Sequence, residues 1–166
     1  MCAITYRKIF EATIKVNLPM LIHLHVHSEY SLIDGLVRLD ELVARCVALK
    51  MPAVACTDHQ NFFGAIKFYQ AAIAAGVKPL IGAEVLIENV LLPGQYSKVL
   101  LLCQNQQGYH HLSQLLTRIY LEGQTGAQVH LKESWLEEYS EGLIAIGLGM
   151  QEYSDQAFQI LDAILS

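Results

Sequence analysis

The chain has 166 residues, 53% hydrophobic and 16% charged, enough apolar material for one sizeable core and one domain or part of one. A net charge of −5 excludes a global basic field that recruits nucleic acid, and the four scattered cysteines (Cys2, Cys46, Cys56, Cys103) exclude a disulfide framework. No apolar run reaches the roughly 18 residues that a bilayer span needs, so a soluble, cytoplasmic protein with no membrane partner is expected.

Residues 1–20 mix Arg7, Lys8, Glu11 and Lys15 among apolar side chains, which rules out a signal-peptide core. They are expected to form a weakly structured leader, with Met20 as an alternative start to Met1. From Leu21 to His27 the pattern predicts a strand, and Leu32–Gly35 a turn. Asp40 is expected to cap a helix reaching Lys50, with Leu39, Leu42, Val43, Cys46, Val47 and Leu49 at helical spacing. Met51-Pro52 stops it. Ala53–Thr57 reads as a buried strand that delivers Asp58 and His59 at its end.

A second helix is predicted over Gly64–Ala75, presenting Ile66, Tyr69 and Ile73 as its apolar positions, with Gly76 as its stop. Lys78–Ile87 reads as a strand and Asn89–Ser97 as a loop or hairpin. Lys98–Cys103 is continuously apolar after its lysine, as a strand covered on both faces should be. Gln107–Glu122 predicts a helix with Leu112, Leu115, Leu116 and Ile119 inward. Gly123–Gly126 breaks it, Lys132–Tyr139 reads as a short helix with Trp135 and Leu136 inward, Leu143–Gly147 as a fifth strand, and Ser154–Leu165 as a further helix. Alternating strands and helices predict an α/β fold with a largely parallel sheet. No G-x-G-x-x-G follows a strand, which gives a dinucleotide fold little support.

The chemistry concentrates in His23-Leu-His-Val-His27. In a strand, alternate side chains share a face, so three imidazoles line one side, and neutral imidazoles are good ligands for a divalent cation. A carboxylate, Asp34, follows seven residues after His27. His25, His27, Asp58, His59 and Glu84 all fall at or near the C-terminal ends of different strands. In a (β/α) barrel that rim carries the catalytic and metal-binding groups, although an open sheet places ligands there too.

Three stretches carry a family resemblance: His25-Val-His-Ser-Glu-Tyr-Ser-Leu-Ile-Asp-Gly35, Thr57-Asp-His-Gln-Asn-Phe-Phe-Gly-Ala-Ile-Lys-Phe-Tyr69 and Lys78-Pro-Leu-Ile-Gly-Ala-Glu84. They resemble the PHP (polymerase and histidinol phosphatase) superfamily, in the branch found at the N-terminus of the bacterial replicative DNA polymerase III alpha subunit. A His-x-His alone also suits amidohydrolases and free-standing phosphoesterases; the Tyr-Ser-Leu-Ile-Asp-Gly and Asn-x-x-Gly-Ala-x-x-Phe-Tyr extensions are far more specific. The resemblance runs from about Leu21 to the end, so residues 21–166 are expected to be a partial PHP domain.

The resemblance implies a distorted seven-stranded, TIM-like (β/α) barrel, here truncated to about five strands, with up to three divalent metals at its rim. The matching ligand positions are His25, His27, Asp34, His59 and Glu84. Two positions depart from the pattern: Lys98 stands where many relatives have a histidine, and Gly149 where Cys or His is common. The final Asp-x-His motif of the family would lie beyond Ser166. An ammonium at Lys98 repels metal ions and can stand in for one; a solvated strand end is its other reading. These departures point to at most one zinc or manganese ion, with magnesium serving the parent polymerase. Expected partners are the rest of the alpha subunit, DNA through that parent, and a proofreading subunit. The competing reading is a free-standing PHP phosphoesterase of the histidinol-phosphatase kind.

Overall fold

The computed structural model describes residues 21–88, 94–126 and 128–148. The leader, Gly149 and the helix expected over 154–165 lie outside them. The main sheet has strand order β1-β2-β3-β6, from β1 (Ala53–Cys56), β2 (Lys78–Glu88), β3 (Tyr96–Cys103) and β6 (Leu143–Leu148). The short β4 (Gln124–Thr125) and β5 (Gln128–Val129) form a separate pair. Among the described residues four helices accompany them: α1 (Leu39–Ala48), α2 (Ala65–Ala74), α3 (Gln106–Glu122) and α4 (Glu133–Glu138). No helix among the described residues is long and apolar enough to cross a membrane.

The sheet is mixed rather than largely parallel. β1 and β2 run parallel, whereas β2–β3 and β3–β6 are antiparallel. The reason lies partly in the link between β2 and β3: a parallel crossover takes a dozen or more residues, and a short link returns the chain as a hairpin. The four strands of this sheet were legible from the apolar runs, but their direction was not.

Period-two alternation divides the sheet cleanly. Ile81, Ala83, Val85 and Ile87 of β2 face the helices. There Ala83, Val85 and Ile87 join Val99 and Leu101 of β3 and Leu112, Leu115, Leu116, Ile119, Trp135 and Leu136 of α3 and α4 in one buried cluster. Ile81 packs at the edge of a second cluster, where Leu39, Val43 and Cys46 of α1 meet Val54 and Cys56 of β1 and Phe68 and Ala72 of α2. The opposite face carries Ala55, Leu80, Leu100, Leu102, Ile146 and Leu148. Glu84 lies on that same face, by its even position in β2.

α3 buries the four residues expected, and Asn105 caps it by accepting a hydrogen bond from the Gly108 amide. α1 starts before Asp40, because Leu39 is fully buried and already helical; Asp40 sits in the first turn, where its charge suits the helix dipole, and makes no cap. α2 is turned the other way from the sequence reading. It buries Ala65, Phe68 and Ala72, and leaves Ile66, Tyr69 and Ile73 more than half exposed. Small residues let α2 approach its neighbours closely around one large ring, Phe68, so the bulkier side chains are left outside.

The histidine segment is not a regular strand. It runs beside β1, with the Ala55 amide donating to the His23 carbonyl and the Thr57 amide to the Val26 carbonyl. The step from His23 to Val26 is one residue longer than the step from Ala55 to Thr57, a mismatch that interrupts a ladder. The Val26 amide accordingly donates to the Thr57 hydroxyl at 2.9 Å. His23 stays exposed and joins no cluster with the other two histidines.

Candidate metal centre at Glu84

Glu84 is the hub. It lies in mid-β2, its side chain is 1% exposed, and both carboxylate oxygens are occupied. His25 Nε2 and His27 Nε2 stand 2.9 and 3.3 Å from Oε2, while His59 Nδ1 and Lys98 Nζ stand 3.1 and 2.8 Å from Oε1. Burial disfavours the charged carboxylate, but hydrogen bonds from His59 and Lys98, with the charges of Lys98 and His27, outweigh it. They hold Glu84 far below the ordinary carboxylate range.

The backbone explains how His59 arrives. The Glu84 amide donates to the Asp58 carbonyl and the Gln60 amide to the Glu84 carbonyl, so residues 58–60 are laced onto β2 at this position. Gln60 then takes a left-handed φ of 55°, uncommon away from glycine, as the chain turns off the strand. Lys98 arrives through register. It pairs with Leu86, so it lies diagonal to Glu84 on the same face, within reach of a long side chain.

His25 and His27 are held by a loop with its own buried polar anchor. Asp58, 2% exposed, accepts the Ser28 amide at 2.6 Å and the Ser28 hydroxyl at 2.8 Å. Ser31 accepts the His59 amide and donates to Asp34, while Asn61 donates to the Tyr30 and His59 carbonyls. Gly35 closes the loop against Ser28, whose carbonyl oxygen a methyl group at residue 35 would overlap. Ser28, Ser31 and Asn61 were not singled out from the sequence, yet they stand inside the motif strings. Their place inside those strings was the available signal.

Asp34 does not reach the Glu84 oxygens. Its Oδ1 lies 2.9 Å from His27 Nδ1 and accepts the Ser31 hydroxyl at 2.7 Å. Burial works against its charge, but the Ser31 hydrogen bond and His27 together keep its pKa below the ordinary value. A neutral His27 that donates its Nδ1–H to Asp34 would aim its Nε2 lone pair at the hub, the arrangement in which an outer carboxylate orients a metal-binding imidazole.

The donor set fits one divalent ion. His25, His27 and Glu84 bring their ligand atoms within 4.8 Å of one another. The separations are 3.2 Å between the two Nε2 atoms and 2.9 and 3.3 Å from these to Glu84 Oε2. Donor atoms about 2.0–2.1 Å from a tetrahedral ion stand about 3.3 Å apart. His59 and Lys98 flank the other oxygen, and Gly149 lies outside the described residues.

The remaining histidines lie elsewhere. His111 Nδ1 meets the Glu141 carbonyl and its ring faces Tyr139, and His110 is exposed. His130, which had no role assigned from the sequence, is buried beside Tyr96 with Nε2 3.2 Å from Glu88. Cys56 is core, as expected, with its thiol pushed up to about 12 by burial and by Asp58.

Comparison with known proteins gives the chain a lineage. The family model described as the PHP domain matches residues 23–160. The chain belongs to the PHP domain family. DNA polymerase III subunit alpha of Buchnera aphidicola subsp. Acyrthosiphon pisum is 42% identical to this PHP chain over 137 residues, 82% of the chain and 12% of that protein. The subunit of the same name from Escherichia coli K12 is 40% identical over 131 residues, 79% of the chain and 11% of that protein. The PHP chain thus spans about a ninth of the length of these curated relatives. Among solved structures, a metal-dependent phosphoesterase from Bifidobacterium adolescentis aligns over 63% of this chain and 35% of its own, at TM-score 0.48 and 20% identity. An amidohydrolase from Chromobacterium violaceum aligns over 59% and 32%, at TM-score 0.47 and 26% identity.

Proposed function

We propose that this chain is the PHP portion of a replicative DNA polymerase III alpha subunit, serving DNA replication in the cytoplasm as a folded scaffold. The similarity to curated alpha subunits over 82% of the chain carries this reading. The finer architecture proposed is part of a seven-stranded, TIM-like PHP barrel. In support, the apolar face of Leu80, Leu100, Leu102 and Ile146 lies opposite the helices, as a barrel interior does. Partners on this reading are the rest of the alpha subunit, DNA through that parent, and a proofreading subunit. Templated synthesis, with its magnesium ions, belongs to the parent polymerase; primer extension by the purified chain should stay at background.

For the site we propose one zinc or manganese ion held by His25, His27 and Glu84 Oε2, with Asp34 orienting His27 and His59 supporting the carboxylate. When bound, such an ion supplies a Lewis acid. The chain's own residues fix the two imidazoles, bury the carboxylate and keep the ring of His27 in one orientation. The three-atom donor set favours a second reading, a metal-dependent phosphoesterase acting on DNA ends or small phosphate esters. Zinc analysis after dialysis, paired with hydrolysis of single-stranded DNA, separates the two. The scaffold reading expects at most one ion per chain and no hydrolysis; hydrolysis abolished by His25→Ala would establish the phosphoesterase instead.

A further inference from the structure

We propose that the Lys98 ammonium is a tethered cation that occupies the Oε1 side of Glu84 in place of a second divalent ion, limiting the cluster to a single ion on the Oε2 side. The inference rests on, and deepens, the one-ion reading given above.

The two oxygens of Glu84 have chemically different neighbours. At Oε2 stand two imidazole nitrogens, His25 Nε2 at 2.9 Å and His27 Nε2 at 3.3 Å. An imidazole can present either an N–H or a lone pair, so both can turn from hydrogen-bonding the carboxylate to ligating an ion beside it. At Oε1 stands Lys98 Nζ, at 2.8 Å, the closest of the four contacts. An ammonium has three donors and no lone pair. It cannot ligate, so an ion at Oε1 must either displace it or lie against its charge.

Lys98 also does for the buried carboxylate what a metal ion would do. Glu84 is 1% exposed, and a carboxylate that far from water needs a counter-charge and satisfied lone pairs. Lys98 supplies the charge through a strand pairing that does not depend on any ligand: its partner is Leu86, one step along from Glu84 on the same face. The lysine stem follows the sheet while half of the side chain remains in solvent. Asp34, the other carboxylate of the group, is engaged by His27 and Ser31 and does not approach Lys98's partner oxygen. One carboxylate and one ammonium therefore pair at the hub through the sheet register itself.

Titration calorimetry with Zn²⁺ alone on the purified chain, Lys98→Met and Lys98→Arg tests this. The wild type and Lys98→Arg should each take one ion. Lys98→Met should take a second, or bind the first at least roughly tenfold tighter, as expected when one like charge is removed beside a cation. Its melting temperature in chelator should fall below that of the wild type and return with Zn²⁺. Equal stoichiometry and affinity in Lys98→Met and the wild type, with one ion in each, would overturn the inference and leave the one-ion reading intact. Binding by neither protein would remove both. If Lys98→Met does not fold, the wild type with ¹⁵N-labelled lysine decides. A distinct, slowly exchanging Lys98 ammonium signal that persists at saturating Zn²⁺ supports the proposal. Its merging with the solvent-exposed lysines shows displacement and overturns it.

Discussion

Along β2, Ala83, Val85 and Ile87 point toward the helices and Glu84 points away, and the two faces are held by different physics. The helix-facing side is an apolar cluster in which each residue contributes by leaving water, and near-equivalent side chains would serve. The Glu84 side carries a smaller apolar cluster and also holds one buried charge, whose four partners arrive from three segments: the histidine loop, the residues after β1, and β3. A burial-driven face tolerates substitution of kind but not of volume. A face organised on a charge tolerates neither loss of a partner nor a shift in its position. The same strand thus supplies rigidity on one side and chemistry on the other.

The largest effect should come from opening the apolar side. Leu115→Ala removes a fully buried side chain between α3 and the sheet, and should cost about 2–5 kcal/mol in urea unfolding. Zn²⁺ affinity of the protein that remains folded should be unchanged; a proportionate loss of affinity would show that the two faces are not separable.

An intermediate effect is expected from the anchor under the histidine loop. Asp58→Ala strips the Ser28 amide and hydroxyl of their acceptor, at about 1–3 kcal/mol. Here Zn²⁺ binding should weaken beyond what the stability loss explains, because His25 and His27 lose the loop that aims them. Unchanged Zn²⁺ affinity would mean that the histidines are positioned by Glu84 and Asp34 alone.

The smallest effect calibrates the other two. Ile66 is 64% exposed on the outward side of α2, and Ile66→Ser should change stability by no more than about 0.5 kcal/mol. It should raise the concentration at which the chain stays monodisperse in light scattering, since Tyr69 and Ile73 extend the same apolar stripe. A loss of stability comparable with Leu115→Ala would mean that the stripe is part of the core.

Much of this protein was decided by sequence alone. The apolar runs located the four strands of the main sheet, and the spacing of Leu112, Leu115, Leu116 and Ile119 located α3 and its inward face, because periodicity survives any tertiary arrangement. The motif strings single out His25, His27, Asp34, His59 and Glu84; the structure brings His25, His27 and His59 onto Glu84, while Asp34 meets His27 instead. Other features had no local signal. Whether β3 runs parallel or antiparallel depends on the path of the chain between strands, and which side of α2 is buried depends on how closely α1 approaches. The extra residue between His23 and Val26 turned an expected strand into an irregular segment, since register exists only against a partner. Lys98 could be read either as a solvated strand end or as a charge at the site. Only the pairing of Lys98 with Leu86 brought its ammonium onto Glu84, because the distance between two residues on neighbouring strands is set by register and not by composition.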